Sequence, residues 1–216
     1  MINRVHITTS KSLAMFACGF LLGSALTVDH GIAFAGVTVK EVVPEETTPK
    51  TSPLLVIYGG NSTSTPYVPT GWMGNNGAIG FNDRCTESPH SGSACIKVEY
   101  KALDGWAGIV WQDVANDWGE QDGGHNITGA TKLTFWARGS QGGERVDFLF
   151  GVIKRGEKPF PDSDTGKISA ALTTDWRQYS IDLSGKNLTR IKTGFGWSLA
   201  GQGKPVTFYL DDIQYE

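Results

Sequence analysis

The chain has 216 residues, a formal net charge of −3 at pH 7, 28 glycines and 39% hydrophobic residues. This length fits one domain with a sizeable hydrophobic core. A mildly acidic chain lacks the basic surface that binding to a phosphate backbone requires, so we expect no nucleic acid partner.

The first segment, residues 1–35, has the pattern of an export signal. Arg4 and Lys11 precede an apolar run, and small residues at Ala33 and Ala35 form an A-x-A cleavage site. Because the apolar run contains glycines and the cleavage pattern follows at once, we predict that the segment is removed; the alternative is a retained membrane anchor. The mature protein is then expected to be secreted, periplasmic or at the cell surface, with no membrane span.

Residues 36–52 are polar, contain two prolines and are predicted to form a flexible linker. Residues 53–216 change to short alternating apolar runs between glycine-rich turns, without helical periodicity, which is typical of an all-β domain. The close spacing of the runs predicts a two-sheet β-sandwich of the jelly-roll type, and a closed barrel is the alternative. Ten strands are predicted, at LLVIY, AIGF, CIKVEY, GIVWQ, KLTFWAR, RVDFLFGVI, KISAAL, WRQYSIDL, TGFGWSL and VTFYLDDIQY.

Cys85 and Cys95 bracket the turn-rich stretch TESPHSGSA. In an oxidising compartment, two cysteines in this arrangement predict a disulfide. Closing so short a loop would stabilise the protein by roughly 2–3 kcal/mol, so the bridge is expected to hold one loop and not to create the fold.

Catalytic motifs are missing from the sequence: it has no nucleophile elbow, no HExxH and no phosphate loop. Pairs of acidic residues do occur, at Asp113 and Asp117, at Asp162 and Asp164, and at Asp211 and Asp212. A glycosidase needs two carboxylates on opposite sides of the scissile bond, a spacing that a sequence does not reveal. We therefore predict no enzyme, with a small secreted glycan hydrolase or lyase on the same fold as an alternative.

The aromatic residues indicate a binding function. All 7 tryptophans follow the predicted signal, and several lie beside polar residues in glycine-rich segments such as PTGWMGNNG, which is predicted to be a loop. Sugars stack their C–H faces on aromatic rings while polar side chains bind their hydroxyls. The predicted stacking residues are Trp72, Trp106, Trp118 and Trp136, and the predicted polar partners are Gln112, Asn116, Asp117 and Arg138.

Each of these tryptophans has a second interpretation, which is packing that needs no ligand. Trp136 and Arg138 lie on the face of their strand opposite to Leu133 and Phe135, so they are expected to face outward. They form either a sugar platform or a stack of Arg138 on a tryptophan that a loop covers.

Four segments, FYLDDIQYE, ATKLTFWARG, WRQYSIDL and PTGWMGNNGAI, resemble extracellular carbohydrate-binding modules with a galactose-binding-like jelly-roll fold. The resemblance covers most of residues 53–216. It implies a non-catalytic domain that binds a polysaccharide or glycan and requires no cofactor. An envelope or surface module that binds a protein is the alternative.

The resemblance also bears on a metal. Many members of this group hold a structural calcium with one acid near the C-terminal strand, where Asp211 or Asp212 would match, and another near the first strand. Here Gly59 and Gly60 stand where the second acid is expected. No sugar-binding residue transfers from the group by motif, because the loops that set sugar specificity vary.

Overall fold

The computed structural model describes residues 54–60 and 65–216, so the predicted export signal (1–35) and linker (36–52) lie outside the described residues. No helix in the described part is long and apolar enough to cross a membrane. Within the described residues, eleven strands and a short 3-10 helix, Asn76–Ala78, are present. The strands are β1 (Leu55–Tyr58), β2 (Val68–Gly74), β3 (Ile79–Cys85), β4 (Cys95–Tyr100), β5 (Trp106–Gln112), β6 (Lys132–Gly139), β7 (Arg145–Phe150), β8 (Gly166–Ala171), β9 (Arg177–Asp182), β10 (Thr193–Ala200) and β11 (Val206–Tyr215).

The strands form two antiparallel sheets. The six-stranded sheet has the order β3-β4-β11-β6-β9, and β1 pairs with the last residues of β11. The five-stranded sheet has the order β2-β5-β10-β7-β8. This architecture confirms the predicted all-β, two-sheet β-sandwich.

Strand alternation decides which side chains enter the core between the sheets. In β7, Val146, Phe148 and Phe150 are buried in the core, and Phe195 and Trp197 of β10 join them. Because successive side chains of a strand point to opposite faces, the intervening residues of β7 and β10 lie on the outer face of the five-stranded sheet. The core pattern therefore determines what that outer face presents.

Strand β2 corrects the prediction that PTGWMGNNG is a loop. Met73 pairs with Gly108 and Gly71 with Val110 of β5. Glycine permits this close pairing, because a Cβ atom on Gly71 would lie 2.3 Å from the Cγ2 atom of Val110. Trp72 consequently lies on a sheet edge, with its ring edge-to-face against Phe81 at a centroid distance of 6.0 Å.

The predicted disulfide is also corrected, because Cys85 and Cys95 are free thiols. The two residues do lie opposite each other on β3 and β4, and both are buried. Burial, followed by the neighbouring Cys85, raises the pKa of Cys95 to about 12. The loop between the cysteines is held instead by the carboxylate of Asp211, which accepts backbone hydrogen bonds from His90 (2.9 Å) and Ser91 (3.1 Å).

We expect Gly196→Ala to destabilise the protein by about 1–3 kcal/mol, because a Cβ atom there overpacks the five-stranded sheet. That atom would lie 2.5 Å from Val110 Cγ1 and 3.0 Å from the carbonyl oxygen of Ile109. Urea unfolding measures the change. Gly77→Ala is the control, since a Cβ atom at Gly77 meets no atom within 4 Å. Equal stability of the two variants would contradict the described packing.

Candidate binding site

The outer face of the five-stranded sheet presents an exposed tryptophan and, next to it, a shallow depression lined by both apolar and polar residues. Trp106, the first residue of β5, is 52% exposed and lies opposite Ala200 of β10. A pocket of about 390 Å³ adjoins Ala200 on β10, β7 and β8. We call this surface the platform and define it by Trp106, Arg145, Asp147, Ser169, Ser198 and Ala200.

The exposure of Trp106 contrasts with the tryptophans of the core. Trp197 is fully buried and Trp111 is 2% exposed, and both point into the space between the sheets. Trp106 lies at an odd distance from Trp111 in the same strand, so it takes the opposite face. The backbone of Gly74 supports its ring, since a Cβ atom on Gly74 would lie 3.0 Å from the Cδ2 atom of Trp106.

The polar side chains of the platform hold one another in place. Asp147 accepts hydrogen bonds from the hydroxyl of Ser169 and from Lys167 Nζ, the latter at 3.1 Å. Partial burial acts to raise the pKa of Asp147, but the Ser169 hydroxyl and the Lys167 ammonium outweigh it and lower the pKa. Asp147 is therefore a fixed, ionised acceptor at neutral pH. Ser198 pairs with it across β10 and β7.

The structure does not bring the predicted binding residues into one site. Trp106 and Gln112 lie at opposite ends of β5, six residues and therefore about 20 Å apart along the strand. Asn116, Asp117 and a half-buried Trp118 follow in the loop beyond Gln112. Of these residues, only Trp106 belongs to the platform.

Gln112 and Asp117 have structural roles. Gln112 is 1% exposed, donates a hydrogen bond to the carbonyl of Asp117 (2.7 Å) and accepts one from the hydroxyl of Thr70 (3.0 Å). Asp117 pairs with the fully buried Lys192 at 2.8 Å. Burial acts to raise the pKa of Asp117, but Lys192 and backbone N–H donors, including that of Gly119, outweigh it and lower the pKa.

We expect Asp117→Ala to lower the free energy of unfolding by about 3–5 kcal/mol at neutral pH, because it leaves the Lys192 ammonium buried without its counter-charge. Because folding lowers the pKa of Asp117, its stabilising contribution is present above the pKa of the unfolded chain and is lost as the pH falls through the folded value. The difference in the free energy of unfolding between Asp117→Ala and the wild type should therefore become smaller below about pH 4.

The control for this experiment is Asn116→Ala. Asn116 is the preceding residue, and its side chain is exposed. Denaturant unfolding of both variants across the acid range makes the measurement. A destabilisation by Asp117→Ala that stays constant down to pH 2, or that Asn116→Ala matches, would contradict the ion-pair role.

Trp136 and Arg138 lie on the outer face of the six-stranded sheet, where the loop of residues 86–94 covers them. The His90 ring stacks on Trp136 with a centroid distance of 3.7 Å. The Arg138 guanidinium lies 3.7 Å from the centroid of Tyr209 and donates a hydrogen bond to the carbonyl of Glu87 (2.9 Å). The loop therefore covers Trp136, as in the second interpretation, but the ring that stacks on Trp136 is His90, whereas Arg138 stacks on Tyr209.

Asp211 and Asp212 bind the same loop. Asp211 is fully buried, and burial, the largest cause, raises its pKa. Asp212 accepts a hydrogen bond from the hydroxyl of Ser91 and lies 2.7 Å from His90 Nδ1. Within residues 54–60 and 65–216, no group of three or more His, Cys, Asp or Glu side chains is arranged to hold a metal. The structural calcium that the resemblance implies, with Asp211 or Asp212 as a ligand, stays a prediction.

We expect Trp136→Ala to lower the free energy of unfolding by about 1–3 kcal/mol, because it removes the ring on which His90 stacks and opens the loop. Binding of polysaccharide should be unchanged. Urea unfolding and affinity electrophoresis test the two statements together. Loss of binding with unchanged stability would show instead that Trp136 contacts sugar.

Two crystal structures of a family 30 carbohydrate binding module are similar to this protein. The TM-scores are 0.53 and 0.52, and the identity is 16% in both cases. The alignments cover 77% of this chain and 88% of the first module, and 75% of this chain and 97% of the second. The chain has the jelly-roll β-sandwich fold of these modules. No protein-family model and no curated protein matches the chain.

Four polar or charged residues of the platform are not among the binding residues predicted from the sequence: Arg145, Asp147, Ser169 and Ser198. A signal for two of them exists in RVDFLF, where Arg145 and Asp147 alternate with the core residues Val146 and Phe148. The tryptophan content draws attention to aromatic positions, whereas these residues become recognisable only once β7, β8 and β10 are known to be neighbours.

Proposed function

We propose that this protein is a secreted, non-catalytic domain that binds a polysaccharide chain on the platform. The observation that supports the proposal most strongly is Trp106, which stays 52% exposed and lies opposite Ala200, a residue that lines the platform pocket. Single exposed apolar side chains are common on protein surfaces, but Trp106 lies on the same sheet face as the polar side chains of the platform. A sugar ring stacked on the indole would cover its exposed half.

The chemistry of the platform suits a sugar. The indole offers a flat apolar face to the C–H groups of a pyranose ring. The hydroxyls of that sugar and of its neighbours would donate to the carboxylate of Asp147 and accept from the guanidinium of Arg145. Ser169 and Ser198 add small hydroxyls that leave room for the ligand. The platform is wide, since its four strands at about 4.8 Å spacing span about 14 Å, which accommodates a short chain of sugars.

The acidic residues support a function without catalysis. Asp162 accepts four hydrogen bonds from Ile153, Lys192 and Thr193, and Asp117 is paired with Lys192. Asp211 is committed to the backbone of the 86–94 loop. The similar solved structures are described as carbohydrate binding modules, which agrees with a binding role. The export signal predicted for residues 1–35 supports secretion.

Binding to a glycan array and to insoluble polysaccharides, followed by titration of the best ligand, tests this proposal. We expect Trp106→Ala to weaken binding at least about tenfold, because the loss of aromatic stacking is worth about 1–3 kcal/mol per ring contacted. Stability should be nearly unchanged, since half of the side chain is already exposed.

The matched control is Leu54→Ala. Leu54 is 54% exposed, as Trp106 is, but adjoins β1 in the six-stranded sheet. Its removal should leave glycan binding intact. If no glycan binds the folded protein, the proposal is wrong. Capture of a protein partner that Trp106→Ala abolishes would then support the alternative of a surface-interaction module.

A further inference from the structure

A second, more basic depression continues the platform along β7 and β8. Leu149 pairs with Lys167, next to the platform pair of Asp147 with Ser169. Beyond Leu149 opens a groove of about 530 Å³ with an apolar floor and a charged rim. We call it the basic groove. Its floor includes Leu149, Val152 and Ile153, and its rim includes Lys154, Arg155 and Lys167.

The acids of the basic groove do not neutralise its cations. Asp162 is 3% exposed and all its hydrogen bonds come from the protein interior. Asp164 lies 3.5 Å from Lys186 Nζ and accepts backbone hydrogen bonds from Asn187 and Thr165. Lys167 is paired with Asp147. Asp164 and Asp147 thus have cationic partners of their own, whereas Asp162 is bound by neutral donors that leave its charge in place beneath the groove.

Lys154 and Arg155 are left with uncompensated charge. Both are exposed, and neither forms an ion pair within residues 54–60 and 65–216. Arg155 donates a hydrogen bond to the carbonyl of Ser163 (3.3 Å), which directs its guanidinium along the groove wall. Two adjacent cations above an apolar floor form a local positive site on a protein whose net charge is −3.

A neighbouring pocket extends the positive region. It shares Arg155, Asp162 and Ser163 with the basic groove and adds Arg190. The Arg190 Nε atom donates to the carbonyl of Pro161 (3.2 Å), and its guanidinium lies 5.9 Å from the centroid of the Phe160 ring. Neither contact neutralises its charge. Among the described residues, three cations that form no ion pair, Lys154, Arg155 and Arg190, therefore line adjoining depressions at one end of β7 and β8, as does the buried Asp162.

We propose that the polysaccharide of the proposed function is anionic, and that Lys154 and Arg155 bind its carboxylate or sulfate groups in the basic groove. From Arg145 to Leu149 the strand runs about 14 Å, so a chain of a few sugars that lies along β7 from the platform enters the basic groove. Arginine and lysine form charge-assisted hydrogen bonds with carboxylate and sulfate oxygens. The apolar floor would contact the sugar rings between the charged groups. This inference rests on the proposed function and specifies its ligand class.

The test compares four probes on the full chain: polygalacturonate, dextran sulfate, unmodified dextran and mixed-linkage glucan. Isothermal titration at low and high sodium chloride measures binding of the wild type and of Lys154→Ala/Arg155→Ala. We expect an anionic probe to bind more tightly than the neutral ones, more weakly at high salt, and at least about tenfold more weakly to the double variant. Polygalacturonate and dextran sulfate distinguish carboxylate from sulfate recognition.

Lys132→Ala/Arg177→Ala is the charge-matched control, because both residues are exposed and lie on β6 and β9 of the other sheet. It should leave binding of the anionic probe unchanged. Equal loss in both double variants would overturn the inference, since net charge alone would then explain binding. Trp106-dependent binding of a neutral glucan without preference for either anionic probe would overturn the inference and leave the proposed function standing. Binding of no glycan at all would overturn both.

Discussion

The two sheets are held together by three phenylalanines that meet in the middle of the sandwich. Phe135 comes from β6 of the six-stranded sheet, and Phe148 and Phe195 come from β7 and β10 of the other. Their ring centroids lie 4.5 Å (Phe135–Phe148), 5.3 Å (Phe135–Phe195) and 6.3 Å (Phe148–Phe195) apart. Burial of such rings dominates core energetics. Their inward orientation therefore decides which alternate residues of each strand face the core and which face outward.

The same alternation decides which side chains the outer face of the five-stranded sheet presents. With Phe148 and Phe195 inward, Asp147 and Ser198 must face outward, and the register of β7 with β10 places them side by side. A slip of one residue in this pairing would exchange core and surface on a whole strand. The platform and the hydrophobic core are therefore two consequences of one alternation.

The sequence predicts the core far better than it predicts the platform. Alternating runs such as RVDFLF identify both a strand and its inward residues, because burial demands apolar side chains at every second position. Strand β2 cannot be predicted in this way, because Pro69, Gly71 and Gly74 are typical of turns. These residues form a strand here because they pair with the neighbouring β5. Propensity is overridden there by tertiary pairing.

The candidate sites were harder to predict for a related reason. Trp106 and Trp136 both alternate with core residues, so local pattern places both outside. Only the three-dimensional arrangement shows that His90 covers Trp136 while nothing described covers half of Trp106. Asp117 resembles a solvated loop acid in the sequence, yet it neutralises Lys192, a contact between residues 75 positions apart that no local pattern contains.

The pairing of β1 with β11 has a consequence for how the molecule is presented. Leu55 lies opposite Tyr215, and the amide of Leu54 donates a hydrogen bond to the carbonyl of Tyr215 (2.8 Å), so the polypeptide enters and leaves the sandwich at neighbouring points. Both points belong to the six-stranded sheet. An attachment made through either of them would hold the molecule by its six-stranded sheet. The outer face of the five-stranded sheet, with Trp106, would then stay accessible.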